Sequence, residues 1–190
     1  MQVSERNILS LRTVLGCTTL AGAASGRAAA AKLQTATATL PTPWVLAFEG
    51  IELITASAFR EAILSIVRWA ADDGRACLLA NVNEVTCEEG LIAAAQSGSV
   101  LLFCKLDGLT ITDVVARGPL DAKLETTFEL VLQLGEADAK AVSDASGEDT
   151  VTTAWNNRLV ALTRMGLLTD RKAGKTKYYS PVVKGMSYGK

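Results

Sequence analysis

Histidine is absent from this chain of 190 residues, and its four cysteines form no CxxC pair. The lack of histidine excludes histidine-based zinc sites, histidine general bases and Ser-His-Asp triads. No GxGxxG or GxxxxGK[ST] stretch occurs, so the sequence offers no glycine-rich loop to hold a phosphate. We therefore expect no catalytic residues, no bound metal and no cofactor.

Long apolar runs are also missing. No stretch of 18 apolar residues occurs, so we predict no membrane span, although 49% hydrophobic residues suffice for a folded core. Cys77 and Cys104 lie inside the apolar runs ACLLANV and VLLFCKL, where cysteine acts as a small buried hydrophobe. Cysteines used in this way fit a reducing compartment, and the expected location is the cytoplasm.

Strand-like and helix-like segments alternate through the first 106 residues. Apolar strands are predicted over 7–15, 44–50, 76–82 and 100–106. Between them, helices are predicted from Ser25, over 54–74, and from Thr86, with Glu89 completing a capping box at the third. This rhythm indicates an α/β sheet with crossover helices that is at least partly parallel.

Only helices and one ribbon are predicted after a connector over 108–118. The helices cover 120–135, 136–147 and 149–166, the last starting at Asp149 or Thr150, and a two-stranded ribbon covers 167–183. The fold class is therefore α/β plus mainly α. The predicted domains are an α/β domain over 1–107 and a helical domain over 119–190.

Charge is distributed unevenly although the formal net charge is only −1. Residues 150–190 contain one acid, Asp170, and eight basic residues, which gives +7 and leaves −8 for the rest. The basic residues are Arg158, Arg164, Arg171, Lys172, Lys175, Lys177, Lys184 and Lys190. A basic module on an acidic body indicates an anionic partner at one end of the molecule.

The third helix of the basic module has two different faces. An apolar stripe is predicted to face the core, and it consists of Val151, Trp155, Leu159 and Leu162. The predicted reading face consists of Thr152, Thr153, Asn156 and Asn157, whose short polar groups suit base edges or phosphates. Arg158 lies at the margin, where it could reach a phosphate or pair with an acid of an earlier helix.

The segments "ADAKAVSDASG", "WNNRLVALTRMGLL" and "DRKAGKTKYY" resemble the winged helix-turn-helix domains of bacterial regulators, over residues 119–182. The resemblance implies binding of double-stranded DNA. In the wing, Arg171, Lys172, Lys175 and Lys177 would meet backbone phosphates and set affinity more than sequence choice. Because Tyr178 and Tyr179 alternate on a strand, we expect one in the core and the other beside the sugar-phosphate backbone.

The stretch "PWVLAFEGIELITASAFREAILSIVRWA" resembles the STAS-like family, over residues 8–106. In relatives that antagonise anti-sigma factors, a phosphorylated serine follows an aspartate. Here Thr55 and Ala56 fall at those two positions, and Ser57 comes next. Ser57 is interpreted as the N-cap of the following helix, with a phosphorylation site as the alternative.

Three functions fit these features. The first is a DNA-binding protein, either a transcriptional regulator or the DNA-recruiting subunit of a larger complex in phage defence, whose α/β module binds protein or senses a ligand. The second is an adaptor in which both modules dock proteins, and the third is an enzyme that holds a small nucleotide. If DNA is read, a homodimer is expected, because one winged helix contacts few phosphates.

Overall fold

A computed structural model describes residues 1–148 and 151–189 of the chain. The strands are β1 (Ile8–Ser10), β2 (Thr19–Leu20), β3 (Trp44–Ala47), β4 (Leu53–Ile54), β5 (Cys77–Ala80), β6 (Leu101–Asp107), β7 (Thr110–Arg117), β8 (Leu168–Ala173), β9 (Thr176–Pro181) and β10 (Ser187–Gly189). The helices are α1 (Leu11–Leu15), α2 (Ala23–Thr37), α3 (Ala56–Asp72), α4 (Glu84–Ser97), α5 (Ala122–Leu134), α6 (Ala139–Ser146) and α7 (Thr152–Arg164).

Six strands form the central sheet, in the order β1-β3-β5-β6-β7-β10. The first four are parallel, β7 runs antiparallel to β6, and β10 is parallel to β7. Parallel neighbours need crossover connections, which α2, α3 and α4 supply. The predicted mixed α/β content is thereby confirmed.

Alternate residues of the inner strands face opposite sides of the sheet. Leu46 and Leu79 belong to a core cluster with the helices α2, α3 and α4, whereas Val45 and Leu78 belong to a second cluster with later elements. All four side chains are fully buried. Burial on both faces explains why these strands read as continuous apolar runs in the sequence.

The second face of the sheet is covered by the carboxy-terminal part of the chain. Phe128 of α5, Trp155 of α7 and Tyr179 of β9 are fully buried in the same cluster as Val45 and Leu78. The segment predicted as a connector supplies β7, which lies inside the sheet, and β10 extends the sheet beyond it. The division into domains over 1–107 and 119–190 stays a prediction.

The predicted strand over 7–15 is wrong in its second half. Only Ile8–Ser10 is extended, and Leu11–Leu15 forms a short helix. The side chain of Ser10 caps this helix by accepting a hydrogen bond from Thr13 N, 3.3 Å away. Leu11 and Leu15 are both buried and lie four residues apart. A spacing of four residues puts two side chains on one face of a helix and also on one side of a strand, so the alternating pattern does not distinguish the two structures.

The predicted capping box at Thr86 and Glu89 is also wrong. Helix α4 begins one turn earlier, with Asn83 as N-cap accepting from Thr86 N at 2.8 Å. The Thr86 hydroxyl instead accepts a hydrogen bond from Ile54 N at 3.4 Å, and the Glu89 carboxylate accepts one from Ala56 N. Thr86 therefore connects α4 to the end of β4, and Glu89 connects α4 to the start of α3.

Ser57 is not the N-cap of α3. The cap residue is Thr55, with an extended backbone, and Ser57 lies in the first turn of the helix.

Among the helices in the described ranges, none has the length and apolar character needed to cross a membrane.

Candidate nucleic-acid interface

Helices α5, α6 and α7 and the hairpin β8–β9 pack together as one unit. Each pair of these helices is in contact, and α5 and α7 also contact the hairpin. Ala137, in the turn between α5 and α6, pairs with Tyr179 of β9 through two backbone hydrogen bonds of 2.9 and 2.8 Å. This bridge fixes the hairpin against the turn that leads into α6.

The buried stripe of α7 is confirmed for three of its four predicted members. Trp155, Leu159 and Leu162 are fully buried. Val151 is wrongly placed, since its side chain is 74% exposed. It lies at the cap position with an extended backbone, so the helical period does not yet apply to it. The caps predicted at Asp149 or Thr150 lie outside the described residues.

Three of the four predicted reading residues are in solvent. Thr152, Thr153 and Asn157 are exposed on the amino-terminal half of α7. Arg164 is exposed as well and lies seven residues after Asn157, on the same side of the helix. Sequence reasoning left Arg164 out of the interface, although its spacing of two turns from Asn157 was a sufficient signal.

Asn156 differs from Asn157 in having a partner inside the unit. Its Oδ1 accepts a hydrogen bond from the hydroxyl of Tyr179, at 3.0 Å. Tyr179 is fully buried, and burial raises the pKa of its hydroxyl. The bond joins α7 to the hairpin, which gives Asn156 a structural role beside its predicted one.

Arg158 lies over the ring of Trp155, with its guanidinium carbon 4.3 Å from the ring centroid. This cation–π contact shields the buried indole, and the described residues show no carboxylate paired with Arg158. Within those residues the indole Nε1 of Trp155 has no hydrogen-bond partner. Arg158 is thus held at the edge of α7 by its contact with the Trp155 ring.

Arg171 is engaged in the middle of strand β8, opposite Tyr178. Its Nε and Nη2 donate to the two carboxylate oxygens of Glu136, each at 2.7 Å, and it stacks 4.9 Å above the ring of Tyr178. This hydrogen bonding lowers the pKa of the Glu136 carboxyl and raises the pKa of Arg171. A phosphate that reached Arg171 would compete with an acid already in place.

The three lysines of the hairpin differ in whether an acid pairs with them. Lys177 pairs with Asp170 at 3.0 Å. Lys172 and Lys175 are exposed, and no ion pair of the described residues includes either. Gly174, with a φ of 62°, makes the turn between them, a conformation that glycine adopts without strain. The tip of the hairpin is therefore cationic, and no carboxylate of the described ranges pairs with its two lysines.

The two tyrosines separate as expected, since Tyr179 is buried and Tyr178 is partly exposed on the opposite face of β9. Partial exposure leaves the Tyr178 ring accessible beside Arg171.

Ser57 lies far from this unit in sequence, at the start of α3. Its hydroxyl is 3.4 Å from that of Thr55, and the Glu89 carboxylate already occupies the first backbone N–H of the helix, at Ala56. A phosphate on Ser57 would meet that carboxylate as a like charge. Phosphorylation at Ser57 stays a prediction that this contact disfavours.

Comparison with known proteins identifies no relative of this chain. No family model matches the sequence, and neither a curated protein nor a solved structure shows significant similarity to it.

Proposed function

We propose that the unit of α5, α6, α7 and β8–β9 is a winged helix-turn-helix that binds double-stranded DNA. In this proposal the remaining α/β part is the STAS-like module, and the protein acts as a transcriptional regulator or recruits a larger complex to DNA. The order of the elements supports the winged helix-turn-helix assignment, because that motif consists of three helices followed by an antiparallel hairpin.

The observation that carries the proposal is the pair of unneutralised lysines at the hairpin tip. Lys172 and Lys175 are exposed and have no carboxylate partner in the described ranges. Exposed lysines supply the sequence-independent attraction that dominates binding to a phosphate backbone. Arg164, the last residue of α7, is a further exposed cation of the same unit.

Recognition and attraction fall to different residues of α7 and the hairpin. Thr152, Thr153 and Asn157 are short, polar and exposed, which suits hydrogen bonds to base edges. Lys172 and Lys175 extend from a two-stranded ribbon, which suits contact with phosphates. Arg171 and Lys177 contribute less than the sequence suggests, because Glu136 and Asp170 neutralise them.

The test is a salt series with a random-sequence duplex, read by fluorescence anisotropy. Lys172→Ala with Lys175→Ala should weaken binding and flatten the slope of log K against log salt by roughly 1 to 2, since each phosphate contact contributes about 0.9. Lys32→Ala with Lys105→Ala removes the same charge from the α/β part and should leave the slope unchanged. An unchanged slope in the hairpin variant, or no binding by the natural chain at low salt, rejects the proposal.

A protein-docking adaptor is the second candidate, and one surface of α4 favours it. Val85 is 56% exposed and Ile92 is 49% exposed, and the two lie two turns apart on one side of the helix. Glu84 and Glu88 are exposed beside them and join no ion pair of the described residues. Exposed apolar side chains beside exposed acids suit a basic, amphipathic protein partner. The adaptor function gains support if the chain does not bind duplex DNA at low salt.

A further inference from the structure

A cavity of about 190 Å³ lies where three helices end beside the start of β6. Asp72 is the last residue of α3, Ser97 the last of α4 and Arg164 the last of α7, and all three line the cavity. Sites for drug-sized ligands measure about 300 to 1,000 Å³. The volume of this cavity therefore limits an occupant to a much smaller molecule.

The cavity has an apolar wall. Val67, Ala71, Val100 and Met165 line it, and the same four residues line a smaller cleft that reaches Cys77 of β5. Val67 packs against the core cluster on one face of the sheet, and Met165 packs against the cluster on the other face. An apolar group bound here would be removed from water by both halves of the chain.

Two arginines give the cavity positive charge. Arg68 and Arg164 are exposed and line it, and no ion pair of the described residues includes either. The Nη2 of Arg68 donates to the hydroxyl of Ser99 at 3.2 Å and to the carbonyl of Ser97 at 3.4 Å, so the guanidinium is held at the cavity. Guanidinium groups bind carboxylates through two parallel hydrogen bonds. The two arginines therefore suit a ligand that carries a carboxylate.

Negative charge lines the same cavity. Asp72 is exposed, and no ion pair within the described ranges includes it. The three helix ends add partial negative charge, because the last carbonyls of a helix have no partner within the helix. These groups oppose a simple anion such as phosphate and favour an ammonium group. The cavity thus suits a ligand that carries both charges.

We propose that this cavity binds a free amino acid with an apolar side chain, in its zwitterionic form. Arg68 and Arg164 hold the carboxylate, Asp72 and the helix-end carbonyls accept hydrogen bonds from the ammonium group, and Val67 and Met165 cover the side chain. A ligand with only one of the two charges leaves the groups of the opposite set without a partner. Because the site joins α3, α4 and α7, bound ligand should also stabilise the folded chain.

Isothermal titration calorimetry of the full chain with L-leucine, L-valine and L-methionine tests this site. At least one of the three should bind with a dissociation constant of about 1 mM or lower, which is within reach of a ligand of this size. Two analogues of the tightest binder separate its charges. The analogue without the ammonium group (isocaproate for leucine) and the analogue without the carboxylate (isoamylamine for leucine) should each bind roughly tenfold more weakly or worse.

Substitutions assign the charges to residues. Arg68→Gln and Arg164→Gln should each weaken binding of the amino acid roughly tenfold, whereas Arg60→Gln, earlier on α3 and outside the cavity lining, should leave it unchanged. Asp72→Asn should weaken binding of the amino acid but not of the analogue without the ammonium group, a difference that loss of folding would not produce. Far-ultraviolet circular dichroism confirms that each variant is folded.

Absence of binding by all three amino acids overturns the proposal. It is also overturned if the analogue without the ammonium group binds as tightly as the amino acid, because the cavity is then only an anion site. Equal losses of affinity in Arg60→Gln and Arg68→Gln place the ligand elsewhere and overturn it as well. The titrations contain no DNA, so their result is independent of the proposed binding of duplex DNA.

Discussion

Asn156 and Asn157 are adjacent in the chain but belong to different environments. The Asn156 side chain is bonded to the buried Tyr179 hydroxyl, whereas the Asn157 side chain is exposed. Successive residues of a helix point about 100° apart, so one amide faces the hairpin and the other faces solvent. The proposed reading face of α7 therefore consists of fewer residues than its polar composition suggests.

We expect the two asparagines to separate stability from DNA affinity. Asn156→Ala should lower the free energy of unfolding by about 1 kcal/mol, the usual value of a neutral hydrogen bond, and Tyr179→Phe should do the same. The double variant should cost less than the sum, because both changes remove one bond. Urea denaturation measures these values.

Asn157→Ala is the matched control, and it should change stability by less than about 0.5 kcal/mol, as exposed substitutions usually do. Its affinity for a specific duplex should fall by about 1 to 3 kcal/mol if the amide contacts a base. Equal losses of stability at both positions would contradict the structural role of Asn156.

Within the hairpin, charge alone does not identify the residues available to a partner. Four cations lie on β8, β9 and their turn, but Arg171 is bonded to Glu136 and Lys177 to Asp170. Exposed ion pairs contribute little to stability, so these acids act mainly by neutralising charge. Within the part of the chain that the structure describes, two of these four cations, Lys172 and Lys175, have no carboxylate partner.

Glu136→Gln should strengthen duplex binding by releasing Arg171 to the phosphates. We expect the slope of log K against log salt to steepen by about 0.9, the value for one further phosphate contact. Asp113→Asn is the control, because it frees Lys105 from a 2.8 Å ion pair on the α/β part. A steeper slope in both variants would show that only net charge matters, and would place no interface at the hairpin.

Across the whole molecule, the sheet is the shared support of both halves of the chain. Val45 and Leu78 of the early strands pack in one cluster with Phe128 and Trp155 of the later helices. Tyr188 of β10 packs edge-on against Phe128, with ring centroids 6.1 Å apart. Burial of one face thus depends on residues that lie 50 to 110 positions further along the chain.

We expect the chain to unfold in one cooperative transition, with both faces of the sheet lost together. Phe128→Ala should cost about 3 to 5 kcal/mol, as the loss of a buried aromatic ring usually does. In a Trp155→Phe background, the remaining indoles Trp44 and Trp69 report the opposite face, where their rings lie 5.0 Å apart. The unfolding midpoint that the fluorescence of these two indoles reports should shift with Phe128→Ala. A midpoint that does not move would show two independent domains.

Local patterns in the sequence predicted elements well and their ends poorly. The helical spacing of Trp155, Leu159 and Leu162 predicted the buried side of α7, and the apolar runs predicted β3, β5 and β6. The predicted N-cap residues of α3 and α4 were wrong, because a Ser, Thr, Asn or Glu side chain near a helix start can bond to any of several backbone groups. Thr86 and Glu89 bond to residues around the start of α3, and no local rule indicates that choice.

The sequence by itself determined the alternation of strands and helices, the absence of histidine chemistry and the concentration of basic residues near one end of the chain. These are properties of composition and short-range periodicity. Only the tertiary structure decided which cations are free, which asparagine is exposed and which strand forms the sheet margin. Those outcomes depend on contacts between distant residues, such as Arg171 with Glu136 and Tyr179 with Asn156, and sequence spacing does not encode which partner a side chain meets.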